Sequence, residues 1–103
     1  MPGNAPLTET TYYILLSLYK PLHGYGIMQR TAELSGGRIQ LAAGTLYGAL
    51  NAMVDRGWIT LLPGEGRKKE YRLTPMGLEV VKKELARLRE LVASGDLILK
   101  EEA

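Results

Sequence analysis

Residues 44–59 read GTLYGALNAMVDRGWI, a stretch that predicts a short helix followed by a strand. Its apolar side chains recur at intervals of three and four, which places one stripe along a helix; they are Leu46, Leu50, Met53 and Val54. Gly57 is the residue type that most often ends a helix in the left-handed conformation. Residues 58–62, which follow it, are typical of a strand.

The opposite face of this predicted helix is small or polar and carries no charge before Asp55. Such a face is typical of a helix that enters a DNA groove, and its candidate contacts are Thr45, Tyr47, Gly48 and Asn51. Asparagine can pair with adenine, and the hydroxyl groups of threonine and tyrosine can donate to phosphates. Many solvent-facing helices look the same, and Tyr47 could instead cover the edge of the core. The rest of the chain must decide between these interpretations.

Length and composition indicate one small domain of ordinary globular type. The chain has 103 residues, a formal net charge of +2 and 46% hydrophobic residues. A core of this size is modest, so dimerisation would add stability. The absence of cysteine excludes disulfides and thiolate metal sites. No apolar run approaches the roughly 20 residues of a membrane span, and the N-terminus lacks the pattern of a signal peptide. We therefore expect a cytoplasmic protein with no membrane partner.

A first helix is predicted over residues 8–20, with Thr8 as its N-cap and Thr11 assisting. Pro21 ends it, because proline disfavours the helical conformation of the residue before it. The side chains expected in the core are Leu15, Leu16, Leu18 and Tyr19.

A second helix is predicted over residues 25–34, after a tight turn at residues 22–24. Tyr25, Met28 and Ala32 share one of its faces, and the glycine pair at residues 36–37 ends it. Residues 38–41 alternate in polarity and are consistent with a short strand or an extended linker.

Two strands and a last helix follow the opening stretch. The strands cover residues 58–62 and 70–73, joined by a glycine-rich loop. Thr74 and Pro75 form a strong helix start, a hydroxyl N-cap with proline at the first helical position. The helix is predicted to run to residue 93 and to be broken by residues 94–96, Ser-Gly-Asp.

The order of elements predicts a mainly α fold with a small β-wing: a winged helix-turn-helix plus a long C-terminal dimerisation helix. We divide the chain into a flexible arm (1–6), a winged-helix DNA-binding domain (7–74), a dimerisation helix (75–93) and a C-terminal tail (94–103).

The loop between the two strands is basic. It and its flanks carry Arg67, Lys68, Lys69 and Arg72. Cations on a flexible hairpin suit contacts with phosphates beside a groove. The alternative is a solvated turn that is kept polar to prevent edge-to-edge pairing. Because the loop follows a groove-type helix, we favour the DNA interpretation.

The last helix carries an apolar seam at heptad spacing, formed by Leu78, Val81, Leu85, Leu88, Leu91 and Val92. Glu79 with Lys83, and Glu84 with Arg87, are expected surface ion pairs. The seam could pack only on its own domain, but a small domain is unsuited to covering the whole helix. We therefore expect a two-fold dimer, whose reading helices would ideally lie one DNA turn, roughly 34–36 Å, apart.

Three motifs resemble the PadR family of transcriptional regulators. They read HGYGIMQR (23–30), GTLYGALNAMVDRGWI (44–59) and RKKEYRLTPMG (67–77), in the family's order. The short C-terminal region resembles the compact subfamily, which has a single dimerising helix. This resemblance implies a homodimeric repressor on a palindromic operator, with the third helix in the major groove and the wing on the minor groove or backbone. It also implies that a small planar aromatic ligand releases the DNA in some members.

Two features depart from the family pattern. Members often carry serine or proline before Gly-Thr-Leu-Tyr and proline after it, where this chain has Ala42, Ala43 and Gly48. A looser helix start is therefore expected. Some compact members hold drugs between tryptophans of the paired last helices, whereas the single tryptophan here, Trp58, begins a strand.

No catalytic, metal or cofactor site is predicted. His23 is the only histidine and precedes a helix, where a capping or turn role is expected. Two other functions stay open. One is a protein-interaction module that uses the winged fold without reading DNA. The other is a ligand sensor with a pocket at the dimer interface, lined by Tyr12, Tyr13 and the last helix over residues 85–92.

Overall fold

The computed structural model describes residues 5–64 and 69–101. The elements follow in the order α1 (Glu9–Ser17), α2 (Gly24–Leu34), α3 (Ala43–Asp55), β1 (Ile59–Leu61), β2 (Tyr71–Leu73) and α4 (Pro75–Glu101). The predicted fold class is confirmed: three helices, a two-stranded antiparallel wing and a long C-terminal helix. Within the described residues, no helix combines the length and apolar character needed to cross a membrane.

Helix α1 starts as predicted but ends earlier. The Thr8 hydroxyl accepts a hydrogen bond from the Thr11 amide at 3.1 Å, which caps the first turn. The helix stops at Ser17 rather than at residue 20, because the amides of Leu18 and Tyr19 donate to the carbonyls three residues back, Leu15 and Leu16, at 3.1 Å each. Just beyond this end, the Leu18 carbonyl accepts from the Leu73 amide of β2 at 3.0 Å. The chain then turns outward, so Tyr19, predicted to be buried, is 70% exposed.

Helix α2 begins one residue earlier than predicted, and its buried face is not the face that Tyr25, Met28 and Ala32 share. Its buried residues are Gly24, Ile27 and Thr31, one position before the predicted set, while Tyr25 is 62% exposed. Thr31 can be buried because its hydroxyl donates to the Met28 carbonyl at 3.0 Å. The pattern of apolar residues alone could not indicate a buried threonine.

The core lies where α1, α2, α3 and the start of α4 meet. Its buried apolar side chains are Ile14, Leu15, Leu18, Ile27, Leu46, Leu50, Met53, Ile59 and Val81. Three members of the predicted α3 stripe are among them, whereas the fourth, Val54, is 38% exposed. Gly57 ends α3 with φ of 78°, as predicted.

The wing is a short antiparallel ladder in which Ile59 faces Leu73 and Thr60 faces Arg72. Both strands are shorter than predicted, although the Leu62 amide still donates to the Glu70 carbonyl beyond them, at 2.8 Å. A single bridge between Leu22 and Tyr71 extends the pairing on the other side. Residues 38–41 form no strand, so the extended-linker alternative holds there.

Helix α4 starts at the predicted cap and continues past the predicted break. It has 27 residues, or about 40 Å at roughly 1.5 Å per residue. The prediction that Ser94, Gly95 and Asp96 end it, leaving a separate tail from residue 94, is wrong. These residues are weak helix formers rather than stops, costing about 1 kcal/mol or less each, and Gly95 is not among the glycines with positive φ.

Only the first half of α4 packs on its own domain. Gly77, Val81 and Glu84 are buried there, whereas every residue from 89 to 101 is exposed. The predicted Glu84–Arg87 ion pair forms, at 2.7 Å, but not on the surface as expected, because Glu84 is buried. Glu79 approaches Lys82 at 3.8 Å rather than the predicted Lys83.

Candidate nucleic-acid interface

The outer face of α3 gathers the four residues predicted to contact DNA. Thr45, Gly48 and Asn51 are exposed, and Tyr47 is 45% exposed. The packing of Leu46 and Leu50 into the core fixes which way this face points. The result is an uncharged surface with hydrogen-bonding groups, which suits the edges of bases in a groove.

Tyr47 differs from its neighbours because its ring leans on α2. A Cβ built at Gly24, the first residue of α2, would collide with the Tyr47 hydroxyl and would lie 2.8 Å from the Cζ atom of its ring. Sequence reasoning placed Tyr47 on the DNA-facing surface and missed Gly24. The glycine inside the His-Gly-Tyr motif was the available signal.

Neither of the helices in the helix-turn-helix has a side-chain cap at its start. Ala42 occupies the N-cap of α3 and His23 that of α2, and neither side chain accepts a capping hydrogen bond. The expected capping role of His23 is therefore limited to its backbone, whose carbonyl accepts from the Ile27 amide at 3.0 Å. The amide groups of these first turns are compatible with an anionic partner such as phosphate.

The described part of the wing contributes two cations. Lys69 and Arg72 are exposed, and the pairing of Arg72 with Thr60 places Arg72 away from the core-facing pair Ile59 and Leu73. Arg67 and Lys68, the other predicted contacts, lie outside the described residues. The two described cations offer charge for phosphate oxygens.

The residues predicted for dimerisation divide into two groups. Val81 is 8% exposed and belongs to the core of its own domain, so this part of the seam is occupied within the chain. The exposed fraction then rises along the helix, from 37% at Leu85 to 56% at Leu91 and 62% at Val92, while Leu78 and Leu88 are half-buried. Exposed apolar residues continue beyond the predicted seam; they are Leu97, Ile98 and Leu99.

Tyr12 and Tyr13, predicted to line a pocket at the dimer interface, border a cavity within the chain. Tyr12, Tyr13 and Leu88 border a cavity of about 240 Å³ between α1 and α4, with ring centroids of the two tyrosines 6.2 Å apart. Leu85, Leu91 and Val92 are not part of its lining. Burial raises the pKa of Tyr12, and the nearby Glu84 carboxylate raises it further.

A second cleft, of about 320 Å³, lies on the other side of Glu84 and was not predicted. Trp58, Met76 and Val80 provide its apolar lining, and the Arg56 guanidinium stacks over the Trp58 ring at 5.0 Å. Within residues 5–64 and 69–101, no three acidic or histidine side chains are grouped to hold a metal ion.

The fold and this surface define a winged-helix protein, and comparisons with known proteins identify its family. The sequence pattern of the transcriptional regulator PadR-like family matches residues 14–83, more than half of the chain. The chain therefore belongs to the PadR-like family of transcriptional regulators.

Individual relatives agree with this assignment. PadR from Bacillus subtilis, solved in complex with operator DNA, is 29% identical, with a TM-score of 0.65, over 79% of this chain and 48% of that chain. A PadR family transcription regulator from Clostridium difficile has the same fold, with a TM-score of 0.73 and 24% identity over 87% of this chain and 97% of that chain.

A further relative is a 37.1 kDa protein in transposon TN4556 of Streptomyces fradiae. It is 39% identical over 64 residues, which are 62% of this chain and 18% of that protein. The chain therefore spans less than a fifth of the length of this relative.

Proposed function

We propose that this regulator is a homodimeric repressor, of the compact PadR subfamily, that binds a palindromic operator through two copies of α3. The observation that carries the proposal is the uncharged outer face of α3 beside the cations of the wing. Thr45, Gly48 and Asn51 would face base edges, while Lys69 and Arg72, with Arg67 and Lys68, would meet phosphates.

The second half of α4 supports the homodimer. Helical positions 88, 91, 95 and 98 share one face, at about 3.6 residues per turn, and it continues the face on which Gly77, Val81 and Glu84 are buried. Leu91 and Ile98 are more than half exposed, and a Cβ at Gly95 would meet nothing within 4 Å. A second copy crossing near Gly95 would cover this face and pair the two reading helices.

Ligand-dependent release of DNA is part of the proposal. The cavity beside Tyr12 and Tyr13 lies between α1 and α4, so a small planar aromatic ligand there would contact both the winged domain and the helix assigned to dimerisation. Such a ligand could shift α4 and change the spacing of the two α3 helices. Titration of planar aromatic compounds, followed by Trp58 fluorescence and by DNA affinity, tests this part separately.

The decisive experiment is binding to the DNA upstream of the protein's own gene. We expect a two-fold symmetric footprint and an affinity that falls as salt is added. A plot of the logarithm of the binding constant against the logarithm of the salt concentration should have a slope of about −0.9 for each phosphate contacted. The variant Lys69→Ala/Arg72→Ala should weaken binding to all sequences and reduce the salt slope by about two. A matched control, Lys82→Ala/Lys83→Ala, removes the same charge from exposed positions of α4.

Two outcomes would contradict the proposal. If the wing variant and its control bind equally well, the wing does not contact phosphates. If no upstream fragment binds even at low salt, the chain uses the winged fold as a protein-interaction module, the alternative that its uncharged α3 face would also permit.

A further inference from the structure

Three parts of the winged domain meet at the start of α2. The turn before this helix is fixed to the wing by two backbone hydrogen bonds, from the Leu22 amide to the Tyr71 carbonyl at 3.1 Å and from the Tyr71 amide to the Leu22 carbonyl at 2.9 Å. Two residues later, Gly24 begins α2. The position of this turn therefore depends on β2.

Helix α3 reaches the same point through Tyr47. Its hydroxyl and ring cover the side of Gly24 on which a side chain would begin: a Cβ there would lie 2.8 Å from Cζ and 3.5 Å from Cε1 of the ring. Real Cβ atoms do not approach other atoms within 3.0 Å. Gly24 is buried, whereas Tyr47 is nearly half exposed. The tyrosine ring therefore lies between Gly24 and the solvent.

The Tyr47 hydroxyl also lies near the wing. Burial raises the pKa of the Tyr71 hydroxyl above its ordinary value, and the neighbouring Tyr47 hydroxyl raises it further. Tyr47 thus lies against the first turn of α2 and close enough to β2 for its hydroxyl to act on the pKa of Tyr71.

We propose that Tyr47 is a positioning residue: its ring, resting on Gly24, sets the placement of α3 relative to α2 and the wing, and DNA affinity depends on that placement. This assigns to Tyr47 a role other than the direct contact expected from its exposed position in the sequence pattern. The inference rests on the DNA-binding function but not on the proposed operator, dimer or ligand. Gly24 has no side chain with which to read a base, so an effect of Gly24→Ala on affinity that depends on the residue at position 47 passes through this contact.

A cycle of variants tests the contact without DNA. Gly24→Ala is made in three backgrounds, with Tyr47 retained and with Tyr47→Phe or Tyr47→Ala. The atoms that a Cβ at Gly24 would meet are the far end of a movable side chain, so Gly24→Ala should displace the Tyr47 ring. The cost in the folding equilibrium constant should be about three- to ten-fold when Tyr47 is present. The cost should be smaller with phenylalanine, which lacks the colliding hydroxyl. With alanine at position 47, Gly24→Ala should change the folding equilibrium constant by less than about two-fold. Chemical denaturation of the free protein measures it.

The same variants are then compared for binding to a random-sequence duplex at low salt and to the protein's own upstream DNA. The loss of affinity caused by Gly24→Ala should follow the same order, largest with tyrosine and smallest with alanine. Binding to random duplex keeps the test valid if the proposed operator is wrong.

Each outcome decides the proposal. If Gly24→Ala fails to fold but Gly24→Ala/Tyr47→Ala folds, the contact is supported. If both fail to fold, or if Gly24→Ala costs the same in all three backgrounds, the contact does not exist as described. If stability follows the expected order but DNA affinity does not, Tyr47 stabilises the domain without positioning α3 for DNA.

Discussion

Gly77, in the first turns of α4, lies directly against the carbonyl group of Trp58. A Cβ built on Gly77 would collide with the Trp58 carbonyl oxygen and lie 2.8 Å from its carbon, and also 3.0 Å from the Cδ2 atom of Leu73. The same carbonyl accepts a hydrogen bond from the Thr74 amide at 3.0 Å. The Trp58 carbonyl and the backbone of α4 at Gly77 are therefore so close that only glycine fits at position 77.

Replacing Gly77 by alanine should therefore destabilise the protein although alanine is the better helix former. We expect a loss of about 1–3 kcal/mol, because backbone atoms of Trp58 cannot move away as a flexible side chain could. The matched control is Gly48→Ala, another helical glycine, whose Cβ would meet nothing within 4 Å. It should raise stability by about 0.5–1 kcal/mol. Thermal unfolding of both variants measures the contrast, and equal shifts would mean that Gly77 is not closely packed.

The cap of α4 joins two elements and should matter more than an exposed cap. The Thr74 hydroxyl donates to the Gly57 carbonyl at 2.5 Å and accepts from the Gly77 amide at 3.0 Å, and Thr74 is half-buried. Thr74→Ala should cost about 1–2 kcal/mol, and Thr74→Ser should retain most of that stability. Thr8→Ala, at the exposed cap of α1, should cost less because water can replace its hydroxyl. A larger loss at Thr8 than at Thr74 would contradict this ranking.

The residues correctly predicted to begin or end a helix act mostly on their neighbours in the sequence. Thr8 caps α1, Gly57 ends α3 and Thr74 starts α4 because each acts on residues a few positions away. Helix α1 shows the limit of such reasoning. Its last turn tightens at Leu18 and Tyr19, and the Leu18 carbonyl beyond it accepts from an amide of β2, a partner that no pattern within α1 contains.

The candidate site was predictable as a face but not as a set of contacts. Apolar spacing in α3 identifies the three inward residues but also adds Val54, which is exposed, and the outward face follows by elimination. The contact of Tyr47 with Gly24 joins two helices, and it depends on the angle between them rather than on any spacing. The length of α4 was underestimated for a different reason. Weak helix formers at residues 94–96 change helix stability by small amounts and do not by themselves end a helix.

Stability should fall on the acid side because of Glu84. This carboxylate is 5% exposed, and it accepts hydrogen bonds from Arg87 at 2.8 and 2.7 Å and from the Leu7 amide at 3.3 Å. The bonds from Arg87, followed by that from Leu7, hold the pKa of Glu84 below its ordinary value, although burial acts in the opposite direction.

A carboxyl group whose pKa is lower in the folded state contributes stability above its unfolded pKa, about 4.3, and loses it as the pH falls through the folded pKa. Glu84→Gln should therefore lower the free energy of unfolding at pH 7 by about 1–2 kcal/mol and reduce the decline below pH 4. Glu79→Gln, at an exposed position, is the control. Denaturation measured from pH 3 to pH 7 gives both curves, and parallel curves for the wild type and Glu84→Gln would exclude this role.

Two adjacent residues on different faces of the outer half of α4 provide a test of the proposed dimer. Ile98 and Leu97 are 53% and 61% exposed, so neither supports the fold of its own chain. Ile98 lies on the face shared with Leu91 and Gly95, whereas Leu97 lies about 200° from Gly95 around the helix, at roughly 100° per residue. Ile98→Asp would place a charge in the proposed contact, while Leu97→Asp would leave it in solvent.

Sedimentation velocity over a concentration series should show the dimer dissociation constant rising by about ten-fold or more for Ile98→Asp and by much less for Leu97→Asp. If both aspartates weaken the dimer equally, or if Leu97→Asp is the more disruptive, the second copy does not bind the face that continues from the core.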